Sequence, residues 1–236
     1  MEIVATNANS LFEEVITSMF EDVEALDFPE SNVAKELINA NLVLTDPTLN
    51  LMNAKDGRNM SMRYAIGEFL WYMSQSPYTK DIEKFSKFWK TIENDDHTVN
   101  SNYGWCIHDK YDCDQWENCK QILRDSPASR QAIIHIKECI DYRLKVPKDV
   151  NCTLTLQFLI RNNKLNMITT MRSNDVWLGL PYDVFCFTCM QMLMAMELHV
   201  DIGTYYHNAG SLHLYKKDFE KVQAIYNRIK EERNGV

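Results

Sequence analysis

The way predicted strands and helices follow one another is the feature that most constrains the fold of this chain. Alternating apolar residues predict strands over residues 131–136, 152–160, 165–171 and 202–207. Helical spacing predicts a first helix that Asn9 or Ser10 caps, and further helices over 64–72, 82–92, 112–123, 184–198 and 219–229. Because these elements interleave without a regular βαβ period, we expect an α+β fold and not a doubly wound sheet.

Length and composition predict a single folded unit. The 236 residues are 45% hydrophobic, which is enough apolar material to bury one large core. No Pro/Gly/Ser-rich linker, repeat or low-complexity tract divides the sequence. We therefore expect one domain over residues 1–236.

Charge and hydropathy argue against several classes of partner. The net charge of −8 disfavours a general affinity for nucleic acid. The most apolar stretch, residues 176–200, is interrupted by Pro181 and Asp183 and is predicted to be a buried helix with its entry loop, not a membrane span. No secretory signal is visible, and the seven cysteines lack a framework spacing, so we expect a reduced cytoplasmic protein without disulfides.

Cys152 is a candidate nucleophile. It lies between the polar residues Asn151 and Thr153 at the head of an alternating strand. The alternative is a buried thiol that only packs, which is the commoner role of a free cysteine. Three motifs follow it along the chain: Arg172-Ser173-Asn174-Asp175, Leu178-Gly179-Leu180-Pro181-Tyr182-Asp183 and Gly210-Ser211-Leu212-His213-Leu214-Tyr215.

In this order and spacing, the cysteine, the Arg-Ser pair and the His-x-Tyr resemble the thymidylate synthase family, over about residues 63–215. The resemblance implies a mixed β-sheet packed with helices, and a homodimer formed sheet to sheet. It also implies an enzyme that takes a one-carbon unit from 5,10-methylenetetrahydrofolate and transfers it to carbon 5 of a pyrimidine nucleotide.

The resemblance assigns catalytic roles around the cysteine. Cys152, activated as a thiolate by Arg172, would add to carbon 6 of the pyrimidine and make carbon 5 a nucleophile. Glu68, in an apolar helical segment, would act through ordered water as general acid and base, aided by a pKa that burial raises. The alternative for Glu68 is a place on the helix surface. Tyr103 matches the tyrosine implicated in removing the carbon 5 proton.

The same resemblance assigns the nucleotide phosphate to Arg172, Ser173 and Arg130, with Arg130 reaching in from the second subunit of an obligate homodimer. Bidentate guanidinium contacts suit a phosphate dianion. Taken alone, each arginine would more often form a surface ion pair. The family usually carries two consecutive arginines where this chain has Arg130-Gln131, so we expect one phosphate contact fewer. Two residues are candidates for the family's amino-terminal arginine: Lys35 and Arg58.

Four further residues are assigned to the sugar and the folate. His213 and Tyr215, two positions apart, face the same side of a strand and would bind the deoxyribose 3′-hydroxyl. Trp89 matches a tryptophan that packs on the folate, and Asp175 matches an aspartate that touches the pterin. Without the resemblance, Trp89 would be taken for a core residue, and the pair at His213 and Tyr215 for a structural one.

Asp183 bears on which base is bound. It stands where enzymes of the family that methylate uracil keep Asn, and Asp there is typical of the deoxycytidylate hydroxymethylases. A carboxylate repels the uracil carbonyl but accepts from the cytosine amino group, and one shared proton completes a second bond to the ring nitrogen. Asp183 is therefore expected to bind the base of dCMP and to act in catalysis.

The product depends on whether water or a hydride captures the one-carbon group on carbon 5. Ile92 replaces a second folate-side tryptophan, and the chain ends about twenty residues after the His-x-Tyr, without the family's long final portion. Both features favour a wetter site and 5-hydroxymethyl-dCMP. The alternatives are a dCMP 5-methyltransferase, a thymidylate synthase-type enzyme acting on dUMP, and a non-catalytic nucleotide-binding dimer.

Other sequence patterns give weaker evidence of function. Cys186 and Cys189 form a CxxC within an apolar helix and are expected to pack in the core, since no second pair or spaced histidines accompany them. No metal site, Gly-rich phosphate loop or dinucleotide fingerprint is expected.

Overall fold

The strands of the computed structural model form one mixed sheet. The structure describes residues 1–23, 31–52, 58–139 and 147–235. The strands are β1 (Glu2–Ala5), β2 (Val33–Leu44), β3 (Ile133–His135), β4 (Thr153–Arg161), β5 (Lys164–Met171), β6 (Asn174–Asp175) and β7 (Asp201–Tyr215). Their order across the sheet is β1-β2-β7-β5-β4-β3, and the short β6 pairs with Leu212 and His213 of β7. The sheet contains both parallel and antiparallel strand pairs, in agreement with the predicted α+β fold.

Helices pack against this sheet and against one another. They are α1 (Ala8–Glu21), α2 (Met62–Met73), α3 (Lys80–Glu83), α4 (Phe88–Thr91), α5 (Tyr103–His108), α6 (Gln115–Asp125), α7 (Gly179–Leu198) and α8 (Phe219–Asn234). Helix α7 packs on β5, β7, α2 and α6, and it forms the centre of the core. Its apolar residues include the fully buried Val184, Phe187, Met190 and Met194.

Several predicted bounds were wrong. The single helix expected over 82–92 is two short helices, α3 and α4, because polar Lys84, Ser86 and Lys87 interrupt the apolar spacing. Asn7, not Asn9 or Ser10, caps α1 by accepting from the Ser10 amide. Strands β1 and β2 and helix α5 were not predicted. Strand β7 continues eight residues past the expected end, to Tyr215.

The predicted buried helix begins at Gly179, five residues earlier than expected, so Asp183 lies within its first two turns. Within the described residues, no helix is long and apolar enough to cross a membrane. The seven cysteines are all described and all free.

Candidate active site

The register of the sheet brings three of the predicted site segments together. Thr153 pairs with Met171 across β4 and β5, and the Arg172 amide continues the ladder by donating to the Cys152 carbonyl at 2.8 Å. Strand β6 then aligns Asp175 with His213 of β7. Backbone pairing therefore places residues 152, 172 and 213 at one end of the sheet, although they are far apart in sequence.

The Cys152 thiol faces a guanidinium group. Nη2 of Arg172 lies 3.6 Å from Sγ of Cys152, and the guanidinium is held by the carbonyl oxygens of Asn151 (3.1 Å) and Val150 (2.9 Å). Burial raises the pKa of the Cys152 thiol, while the positive charge of Arg172 lowers it and Asp183 adds a smaller upward contribution. Arg172 is thus the group that favours the thiolate.

Glu68 lies inside a cluster of phenol groups. Its Oε1 accepts from Tyr64 at 2.6 Å and from Tyr72 at 3.3 Å, one helical turn to either side on α2. Cys186 of α7 approaches Oε2 at 3.8 Å. Only 6% of Glu68 is exposed, and desolvation raises its pKa to about 7, although the hydrogen bonds act in the opposite direction. The helix-surface alternative for Glu68 is therefore excluded, and the carboxyl can gain or lose a proton near neutral pH.

Tyr103 is stacked between aromatic rings beside this cluster. Its ring lies 5.1 Å from that of Tyr72 and 5.8 Å from that of Phe187. A Cβ on Gly104 would lie only 1.7 Å from the Tyr72 carbonyl oxygen, so only glycine permits α5 to approach α2 this closely. The Tyr103 phenol is buried, which raises its pKa well above the usual range, and Asp183 and Cys152 raise it further. It is a neutral hydrogen-bonding group.

Asp183 is a second carboxyl group near the Glu68 cluster, and its side chain is half-buried. Its Oδ2 accepts from Nδ2 of Asn174 at 2.7 Å. Burial first, and then the charge of Glu68, raise the pKa of Asp183 to about 8, against the opposing effect of the Asn174 hydrogen bond. At neutral pH a large share of Asp183 therefore carries a proton, and it offers one donor and one acceptor.

The predicted sugar-binding residues lie at the end of β7. The rings of His213 and Tyr215 are 4.7 Å apart, and Nδ1 of His213 lies 3.4 Å from Oγ of Ser173. His213 is 5% exposed, and its Nε2 is buried without a hydrogen-bond partner among the described residues. A buried polar atom of this kind needs a ligand group or water.

Arg130 is not part of this cluster. It is exposed, and its carbonyl oxygen accepts from the side chain of Gln157, five residues along β4 from Cys152. At the rise of an extended strand, five residues are about 16 Å. Arg130 of the same protomer therefore lies away from the thiol.

The residues expected to bind folate lie on two sides of the site. Trp89 is 7% exposed, packs edge-on against Trp71 and donates from Nε1 to the Tyr64 hydroxyl at 3.1 Å. Asp175 accepts from the amides of Trp177 and Leu178, at 2.9 and 3.3 Å. Burial raises the pKa of Asp175, and the backbone donors and His213 oppose this.

Of the two candidates for an amino-terminal arginine, Lys35 donates to the Val23 carbonyl at 2.6 Å and is engaged there. Arg58 is 4% exposed, stacks over the rings of Trp177 (5.0 Å) and Tyr182 (5.5 Å), and has Nε and Nη2 buried without partners among the described residues. A buried guanidinium beside Asp175 with unpaired N–H groups fits an anionic or carbonyl-bearing ligand. The residues present therefore fit a nucleotide and a folate.

Sequence reasoning missed the partners that hold the two carboxyl groups. Tyr64 and Tyr72 stand four residues before and after Glu68, and this helical spacing could have revealed them. Asn174 lies within the motif of residues 172–175, but its position in the sequence predicts no role for it. His207 gave no signal, because its contact with Asn174 depends on the pairing of β6 with β7.

Comparisons with known proteins agree with this geometry. The family described as thymidylate synthase matches residues 40–235. The deoxycytidylate 5-hydroxymethyltransferase of Enterobacteria phage T2 is 30% identical over 217 residues, which are 85% of this chain and 85% of that protein. The protein of the same description from Enterobacteria phage T4 is 31% identical over 196 residues, 78% of this chain and 76% of the relative. The solved structure of the thermostable thymidylate synthase A from Bacillus subtilis superposes with a TM-score of 0.78 at 20% identity, over 94% of this chain and 84% of that one.

The fold and the matched sequence define a transferase of one-carbon units that acts on a pyrimidine nucleotide and depends on folate. The chain belongs to the thymidylate synthase family, as the sequence resemblance predicted. The co-substrate of this family is 5,10-methylenetetrahydrofolate.

Proposed function

We propose that the protein is a deoxycytidylate 5-hydroxymethyltransferase, which converts dCMP to 5-hydroxymethyl-dCMP. The observation that carries the proposal is Asp183, a half-buried carboxyl group that accepts from Asn174 and whose pKa desolvation raises to about 8. The two phage relatives named above bear the same activity in their descriptions, which supports it.

The base is selected by hydrogen-bond polarity. A protonated Asp183 donates to the ring nitrogen of cytosine and accepts from the exocyclic amino group. Uracil presents a donor at the ring nitrogen and an acceptor at the carbonyl, so the same carboxyl group would be mismatched at both positions. A mismatch in a closed polar site costs several powers of ten in selectivity.

The remaining site residues act on different parts of the nucleotide. Cys152 is the nucleophile that adds to carbon 6 of the pyrimidine, and Arg172 stabilises its thiolate. Glu68 transfers protons at the polar edge of the base through water, and Tyr103 assists removal of the carbon 5 proton. Arg172 and Ser173 bind the phosphate, while His213 and Tyr215 bind the 3′-hydroxyl.

Folate supplies the one-carbon unit when it is bound. Trp89 and Asp175 would hold it, Trp89 from the wall beside Tyr64 and Asp175 from the segment that carries Leu178. Half-buried Ile92 stands where a second tryptophan would shield the reacting carbon. A smaller aliphatic group there supports capture of the one-carbon group by water.

The proposal requires a homodimer. Arg130 is exposed and about 16 Å along the sheet from the thiol, which suits a residue that completes the phosphate site of a partner. With Gln131 beside it, Arg130 would be the single guanidinium from that subunit. We expect this dimer to act in the cytoplasm, and in that of a host cell if the gene is carried by a phage.

The test is the mass of the product. Purified protein incubated with dCMP and 5,10-methylenetetrahydrofolate should give a nucleotide heavier by a hydroxymethyl group. A product heavier by a methyl group would instead establish a dCMP methyltransferase. The absence of any product with either dCMP or dUMP, from protein that binds nucleotide, would favour a non-catalytic dimer.

A further inference from the structure

A buried chain of hydrogen bonds leads from Thr169 of β5, through β7, to Asp183. Thr169 Oγ1 lies 3.1 Å from the Tyr205 hydroxyl, which lies 2.9 Å from Nδ1 of His207. Nε2 of His207 lies 3.0 Å from Oδ1 of Asn174, whose Nδ2 donates to Asp183 at 2.7 Å. Thr169, Tyr205 and His207 are fully buried, and Asn174 is 3% exposed.

The orientation of the Asn174 amide and the neutral ring of His207 together set which group donates at each contact near Asp183. Burial lowers the pKa of His207 to about 3, so its ring is neutral and carries a single N–H. The Thr169 and Tyr205 hydroxyls can each donate to the other, so their contact does not determine the direction of the chain. The Asn174 amide determines it, because its NH2 group faces Asp183 and its oxygen faces Nε2 of His207, which must therefore carry the N–H. Tyr205 then donates to Nδ1 of His207, and Nε2–H of His207 donates to Oδ1 of Asn174.

The contact with His207 holds Asn174 in the orientation that meets Asp183. The Asn174 Oδ1 accepts from the His207 N–H, and its NH2 group donates to Oδ2 of Asp183. A Cβ on Gly179 would lie 2.9 Å from Nδ2 of Asn174 and 3.3 Å from Oδ2 of Asp183, so α7 packs tightly over this bond. Oδ2 is therefore an acceptor, and a proton on Asp183 is left on Oδ1.

We propose that Asn174 and His207 are positioning residues for base selection, because they force the proton of Asp183 onto the oxygen that meets the base. The inference rests on the proposed function and extends it to residues that do not contact the nucleotide. If the amide of Asn174 were reversed, Asp183 would donate its proton to Asn174 and offer the base only an acceptor. An acceptor suits the ring N–H of uracil and not the ring nitrogen of cytosine.

The experiment compares two substitutions of similar size at position 207. His207→Gln keeps a donor for Asn174 and an acceptor for Tyr205, whereas His207→Leu keeps neither. The measured quantity is the ratio of kcat/KM for dCMP to that for dUMP. The loss of one directing hydrogen bond should lower this ratio about tenfold in His207→Leu. His207→Gln should keep the ratio close to that of the wild type.

Two further variants keep the test decisive if His207→Leu does not fold. Asn174→Asp is isosteric and replaces the NH2 group with an acceptor, so it should also lower the ratio. Thr169→Val removes the far end of the chain without favouring the reverse direction, so it should leave the ratio unchanged.

The outcomes separate this inference from the proposed function. A wild-type enzyme that prefers dUMP contradicts the base assignment whatever the variants do. A wild-type preference for dCMP that persists in folded His207→Leu or Asn174→Asp overturns the role of Asn174 and His207 alone. An equal loss of activity on both nucleotides, with the ratio unchanged, also overturns it, because it would show a merely structural role.

Discussion

Nη2 of Arg172 lies 3.6 Å from Sγ of Cys152, and two backbone carbonyl groups hold the guanidinium in that place. The two residues meet because residue 172 continues strand β5 alongside the start of β4. Burial raises the pKa of the thiol, and the positive charge of Arg172 is the main effect that lowers it. The reactivity of Cys152 should therefore depend on this one charge.

Replacing Arg172 with Gln should slow the alkylation of Cys152 at pH 8 by about tenfold, because the pKa of the thiol rises without the cation beside it and less thiolate is present. Iodoacetamide labelling followed by peptide mass spectrometry measures the rate at each cysteine. Exposed Cys113 in the same sample is the control and should react at an unchanged rate. Equal rates at Cys152 in both proteins would contradict the proposed activation.

Cys152→Ser should nearly abolish release of tritium from carbon 5 of dCMP while leaving dCMP affinity within about threefold of the wild type. The proposed phosphate and sugar contacts do not involve the thiol, whereas exchange at carbon 5 requires the covalent adduct. Calorimetry and tritium release give the two quantities. Substantial tritium release by this variant would eliminate covalent catalysis by Cys152.

Glu68→Gln should be more stable than the wild type at high pH. The pKa of Glu68 is about 7 in the folded protein and about 4.3 in the unfolded chain, so the folded state binds more protons between these values. Ionising Glu68 then costs the wild type stability as the pH rises from about 4.3 to about 7, and the cost is constant above that. Melting temperatures of both proteins from pH 5 to pH 8.5 test this. A difference that does not grow with pH would show that Glu68 is not held in a desolvated site.

Hybrid dimers test the proposed place of Arg130. Arg130→Ala and Cys152→Ala should each be inactive alone, because the two sites of each dimer lack either the guanidinium of Arg130 or the nucleophile. After subunit exchange, a mixed dimer has one site with both residues intact, and up to about one quarter of wild-type activity should return in an equimolar mixture. Native mass spectrometry verifies the exchange. No recovery in verified mixed dimers would mean that the site is not shared.

Much of the candidate site could be predicted because its motifs are local in sequence. Cys152, Arg172 and His213 lie next to the ends of strands, and the predicted strands 152–160 and 165–171 match β4 and β5 closely. Strict alternation of apolar residues predicts such strands well, because one face of each strand meets the core.

The features that could not be predicted depend on contacts between segments that are distant in sequence. Strand β2 mixes Lys35, Glu36, Asn39 and Asn41 with apolar residues, and Asn39 adopts a positive φ of 55°, so no simple alternation reveals it. The roles of Asn174 and His207 arise from the pairing of β6 with β7, which no local pattern predicts. Trp89 could be placed near Glu68 only once Tyr64 was seen to join them.

The most direct test of the central claim is the ratio of kcat/KM for dCMP to that for dUMP, measured in the wild type and in Asp183→Asn with the products identified by mass. The wild type should prefer dCMP, because a protonated Asp183 matches both polar atoms at the edge of cytosine. Asp183→Asn should move the preference towards dUMP by several powers of ten, since an amide serves the donor and the acceptor of uracil. A wild-type enzyme that prefers dUMP, or an Asp183→Asn variant that keeps the wild-type ratio, would contradict the account.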